Sequence, residues 1–112
     1  MSALKSLNAA LRFVLELLVL AALAYSGLNS SLSGPYRIAL SILGPVAAAA
    51  IWGTLGAPHA AHRRHGLQLA LVEAVVFGSA PVALWSVGRK DWAIAFIVVF
   101  VVNRGLMLIW NQ

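Results

Sequence analysis

Residues 4–28 read LKSLNAALRFVLELLVLAALAYSGL. The run outlasts the roughly 20 apolar residues that a helix needs to cross a bilayer. Its opening has features of a secretion signal, with Lys5 and Arg12 ahead of an apolar stretch that ends in Ala22-Leu23-Ala24. Glu16 interrupts what would be the apolar core of a signal, and the run is too long for one. A retained membrane helix is therefore expected. Its polar members, Asn8, Arg12 and Glu16, recur at every fourth position. That spacing draws one narrow stripe along a helix of 3.6 residues per turn.

Three more runs of the same character follow. Asn29 to Gly34 (NSSLSG) is a turn by composition, and Pro35 suits the first turn of a new helix, where its missing N–H costs nothing. The second span is expected at 35–55, closed by Gly56-Ala57-Pro58 and followed by the polar loop His59 to Gly66 (HAAHRRHG). The third is expected at 67–87 and the fourth at 92–110, bracketed by Trp92 and Trp110 as interfacial aromatics. Gly88-Arg89-Lys90-Asp91 forms the turn between them, with Asp91 as the expected N-cap of the last helix. Loops this short make neighbouring helices antiparallel. The expected fold is an all-α, integral membrane, up-down-up-down four-helix bundle, a single transmembrane domain over residues 1–112. Ala47 to Ala50 is a small-residue patch that suits close helix approach.

Composition agrees. Of 112 residues, 62% are hydrophobic and 10% charged, against about 45–50% and about 25% in soluble domains. Mean hydropathy is +0.90. So few polar residues cannot coat a small soluble domain, which excludes a soluble enzyme, a nucleic-acid-binding domain and a disordered tail. The net charge of +5 reads as basic groups facing anionic lipid headgroups. With no cysteine, disulfide exchange, thiolate metal sites and iron–sulfur clusters are excluded.

Polar residues inside spans are costly and mark sites or structural anchors. In addition to the first stripe, span two places Arg37, Ser41, Pro45 and Trp52 on one face. Span three carries Gln68 and Glu73, and span four carries Asn103 and Arg104. Counted from the helix ends, Asn8, Arg12, Glu16, Trp52, Glu73, Asn103 and Arg104 converge in the membrane half nearest both termini. Two arrangements compete. In the first, Arg12 pairs with Glu16 one turn away and Glu73 pairs with Arg104, a self-neutralised knot that sets register. In the second, the same groups line a polar cavity that binds a ligand or relays a proton. Pro45 and Pro81 each remove a helical hydrogen bond, beside Gly44 and Gly78. His59, His62 and His65 have no zinc-type spacing and no neighbouring carboxylate. No metal and no cofactor is expected, and headgroup contact by Arg63 and Arg64 is the favoured role of this loop.

The spaced motifs also carry a resemblance. LNAALRFVLEL at the start, Pro45-Val46-Ala47-Ala48, Trp52-Gly53, Ala57-Pro58, Glu73 with Phe77-Gly78-Ser79-Ala80, and Asn103 together resemble the YrdB-like family of small bacterial membrane proteins. That family has no defined function. The resemblance implies a four-span protein of the bacterial inner membrane, with Asn8, Arg12, Glu16, Trp52, Glu73 and Asn103 in the family motif.

Three functions fit. The first is a ligand-binding or transporting subunit, similar in plan to small multidrug-resistance transporters and working as a homodimer or other homo-oligomer. The second is a non-catalytic accessory protein whose ion pairs only hold the bundle. The third is a membrane-embedded enzyme acting on a lipid-like substrate, with Glu16 and Glu73 as acid and base. The expected partners are membrane lipids, with no nucleic acid. Lys5, Arg63 and Arg64 face one side and Arg89, Lys90 and Arg37 the other. Arg12 and Arg104 can snorkel toward the first side. The positive-inside rule then puts both termini in the cytoplasm.

Overall fold

The computed structural model describes residues 2–56 and 65–110. These form α1 (Ser2–Leu28), α2 (Gly34–Ile51) running into a π-helical turn (Trp52–Gly56), α3 (Leu67–Ser86) and α4 (Lys90–Ile109). There is no strand among the described residues. Four segments are long and apolar enough to cross a membrane: Ala3–Leu28, Gly34–Gly56, Leu67–Ser86 and Lys90–Ile109. The chain is thus an all-α bundle whose form is that of a multi-pass membrane protein. Positions 57–64 of the expected loop, including His59, His62, Arg63 and Arg64, lie outside the described residues.

α1 is the hub. Its buried residues Asn8, Arg12, Leu15, Val19, Ala22 and Ser26 alternate steps of four and three, the spacing that keeps one stripe facing inward along a helix. α1 packs on α2, α3 and α4, whereas α2 and α4 do not touch among the described residues. Residue pairs give the directions. Gly27 meets Ser41 and Glu16 meets Trp52, so α2 runs against α1. Tyr25 meets Trp92 and Asn8 meets Asn103, so α4 runs against it too. Arg12 meets Glu73 near the starts of α1 and α3, which run the same way. On the outside, Phe13, Leu17, Ile38, Leu43, Val75, Val82 and Val101 are exposed, an apolar coat with no soluble counterpart.

Local chemistry sets the helix ends. After α1, Asn29 donates from both its backbone N–H and its side-chain amide to the Tyr25 carbonyl, at 3.1 and 2.8 Å. Ser30 likewise closes on Gly27. Pro35 lies in the first turn of α2, as expected. α3 ends in a Schellman turn: the Arg89 N–H donates to Leu84 at 2.9 Å and the Gly88 N–H to Trp85 at 3.1 Å. Gly88 takes the left-handed conformation this turn requires, with φ +85°.

That turn corrects one expectation. α4 begins at Lys90, so Arg89 stands at the N-cap position without a side-chain cap, and Asp91 falls inside the first turn. There its carboxylate still meets the positive end of the helix dipole. Of Ala47–Ala50, Ala48 is buried in the core. A very close α1–α2 approach lies at Gly27, where a Cβ would stand 2.6 Å from the Ser41 backbone nitrogen. Pro45 and Pro81 are carried inside continuous helices.

Candidate functional site

Asn8, Arg12 and Glu16 leave α1 on its inner stripe, Glu73 comes from the first half of α3, and Asn103 and Arg104 come from the last half of α4. Trp52 opens the π turn. The structure brings all seven side chains into one connected group.

Arg12 is at its centre. One guanidinium nitrogen donates to Glu73 Oε2 at 2.8 Å, and the other lies 3.5 Å from Asn103 Oδ1. Its flat face rests among three aromatic rings, with Cζ 4.4 Å from the centre of Phe77, 5.2 Å from Phe100 and 5.5 Å from Trp52. The rings support one another: Trp52 meets Phe77 edge-on at 5.0 Å, and Phe77 stacks on Phe100 at 5.0 Å. Cation–π contacts reach about 2 kcal/mol when desolvated, so the cage offsets part of the cost of burying the cation. Asn103, fully buried, donates from its amide to both the backbone and side-chain oxygens of Asn8 at 2.9 Å. This ties α1 to α4. Arg104 adds its Nε to Glu73 Oε2 at 3.3 Å from a more open position.

One expected pairing is therefore overturned. Arg12 does not bind Glu16; it binds Glu73 on another helix. The aromatic cage and Asn103 reward the cross-helix direction over the partner one turn away. The Glu73–Arg104 contact is present, but Glu73 serves two arginines rather than one. Glu16 is left with a different partner, accepting a hydrogen bond from the Trp52 indole N–H.

Glu16 and Glu73 do not share a chamber. Glu16 lines a recess of about 200 Å³ with Val19, Ala48, Ala49, Trp52 and Gly53. Glu73 borders a separate cavity of about 140 Å³ between α3 and α4, walled by Phe77, Pro81 and Phe100. The acid–base pairing of the two glutamates thus has no geometric support. Gln68 and Arg37 are exposed and stand apart from the group.

Three features escape a reading by polar residues alone. Phe77 and Phe100 complete the cage; their signal lies one turn from Glu73 and Arg104 on the same helix faces. The π turn is the third. Gly56 closes it beside Trp52, and a Cβ there would overlap the indole ring. π turns recur at functional sites, and this one carries the only aromatic partner of Glu16 among the described residues.

A family model described as a protein of unknown function, DUF2568, matches residues 10–101. No curated protein and no solved structure matches the chain.

Proposed function

For a chain that belongs to the DUF2568 family of unknown function, we propose the binding of a small amphiphilic cation at the Glu16–Trp52 recess. The Arg12–Glu73–Arg104 network is then the scaffold that keeps the recess in shape. The observation that carries the reading is the direction of Arg12. Because it is committed to Glu73 at 2.8 Å, Glu16 has no cationic partner among the described residues. An ionised group within the membrane costs at least about 2.5–3.5 kcal/mol, and a cationic ligand would relieve that cost. Trp52 holds one carboxylate oxygen and presents an aromatic surface beside it. At about 200 Å³ the recess is smaller than the roughly 300–1,000 Å³ of ordinary ligand pockets. It suits a compact cationic head whose apolar remainder stays in lipid.

In this reading the protein is a multi-pass protein of a bacterial inner membrane, with both termini and the polar group toward the cytoplasm. Carriage of the cation across the membrane would involve two copies, with the salt-bridged core holding each bundle together. A second reading is favoured by the closeness of the Arg12–Glu73 contact: an accessory protein whose network only fastens the helices. One titration separates the two. Tetraphenylphosphonium added to the purified chain in detergent should bind saturably by calorimetry. Glu16→Gln should abolish the heat while thermal unfolding stays unchanged. Absence of binding in the unaltered chain, or equal binding by Glu16→Gln, would leave the accessory reading.

A further inference from the structure

On the other side of α1 a long groove runs between α1 and α4. Its volume is about 460 Å³, and Leu11, Leu15, Leu18, Tyr25, Trp92 and Phe96 are among its walls. From Leu11 to Tyr25 it follows roughly 21 Å of helix, more than half of the ~30 Å hydrocarbon thickness. Its far end is closed by Tyr25 and Trp92, whose rings are 5.1 Å apart. At that end the chemistry changes. The Arg89 guanidinium lies 3.7 Å from the centre of the Trp92 ring, whereas Lys90 Nζ stands over Trp85, which walls a different recess with Pro81 and Val82. Arg89 Nε is buried and has no hydrogen-bond partner. The nearest carboxylate, Asp91, is exposed and reaches Arg89 only at 3.7 Å. The Schellman turn around Gly88 holds the Arg89 backbone at this place.

We infer that this groove is a site for an anionic phospholipid: one acyl chain lies along α1 and α4, and the phosphate is received by Arg89. An apolar trough that ends in a cation on an aromatic platform matches a molecule with a long apolar chain and one anionic head. The Arg89 side chain is 36% exposed, so its outer N–H groups can donate to a phosphate oxygen by a charge-assisted hydrogen bond. A second copy of the chain packed in parallel on the groove would bring its own Arg89 to the same end, so charge disfavours that occupant.

The test uses the full chain in bilayers holding equimolar phosphatidylglycerol and phosphatidylcholine with identical acyl chains. After mild detergent extraction, retained lipid is counted by native mass spectrometry. Phosphatidylglycerol should be retained preferentially. Arg89→Gln should lower its retention roughly fivefold, the weight of one cation near a lipid surface, without affecting phosphatidylcholine. Ala95→Phe, which fills the groove, should remove both lipids while helicity by circular dichroism is kept. Equal retention of the two lipids by the unaltered chain would overturn the inference. So would retention unchanged in both variants, or dimers carrying no lipid. Competition by free inorganic phosphate would also overturn it, by showing an anion site independent of the acyl chain.

Discussion

At the scale of residues, the stripe Asn8–Arg12–Glu16 was legible because helical spacing alone aligns it. The pairing was not legible. An i,i+4 partner is visible in the sequence, whereas Glu73, 61 residues away, competes only once α3 is packed beside α1. The aromatic cage, which decides that competition, is written in apolar letters that look like lipid-facing ones. Arg12→Ala should destabilise the bundle by about 3 kcal/mol, because it leaves a buried carboxylate with only the more open Arg104 as partner. The double change Arg12→Ala with Glu73→Ala should cost less than the two single changes together. Unfolding in mixed micelles measures both, and additive losses would mean that the two groups do not interact. Arg104→Ala belongs to a milder class. Its side chain is 31% exposed, so its loss should cost no more than about 1 kcal/mol in the same assay.

At the scale of elements, four helices could be read from hydropathy because each run reaches the roughly 17–25 residues a span needs and each break holds turn formers. What hydropathy cannot see is how closely two helices approach or how a helix changes pitch. Gly27 shows the first. Its missing Cβ lets the Ser41 backbone in, and backbone cannot yield as a rotamer can. Gly27→Ala should therefore cost about 1–3 kcal/mol, read as a lowered thermal midpoint in detergent, while Gly34→Ala, with open space around it, should leave the midpoint close to the parent. Gly88 shows a conformational demand. Gly88→Ala should cost about 1–2 kcal/mol for a left-handed residue, measured in the same melt. The π turn was invisible for another reason: Gly56-Ala57-Pro58 signals that a helix stops, and the signal is the same for an α or a π ending.

At the scale of the whole molecule, α1 and α3 each touch the other three helices, with α1 packed most heavily, while α2 and α4 stay apart among the described residues. The four-helix class follows from composition, but this hub arrangement depends on where the polar contacts fall. Those contacts join α1 to partners 61 and 91 residues later. Ribosomes deliver the chain from its N-terminus, so Arg12 and Asn8 enter the bilayer well before Glu73 and Asn103 have been made. During that interval the first helix is an incomplete object, carrying a cation whose partner in the finished bundle, Glu73, has not yet been made. Arg12→Leu should then have opposite effects at two moments of the protein's life. A nascent fragment ending at Gly56 should survive longer in a pulse-chase with the change than without it, whereas the finished protein should be degraded faster. The same arginine is a burden to the newborn chain and the fastening of the adult one.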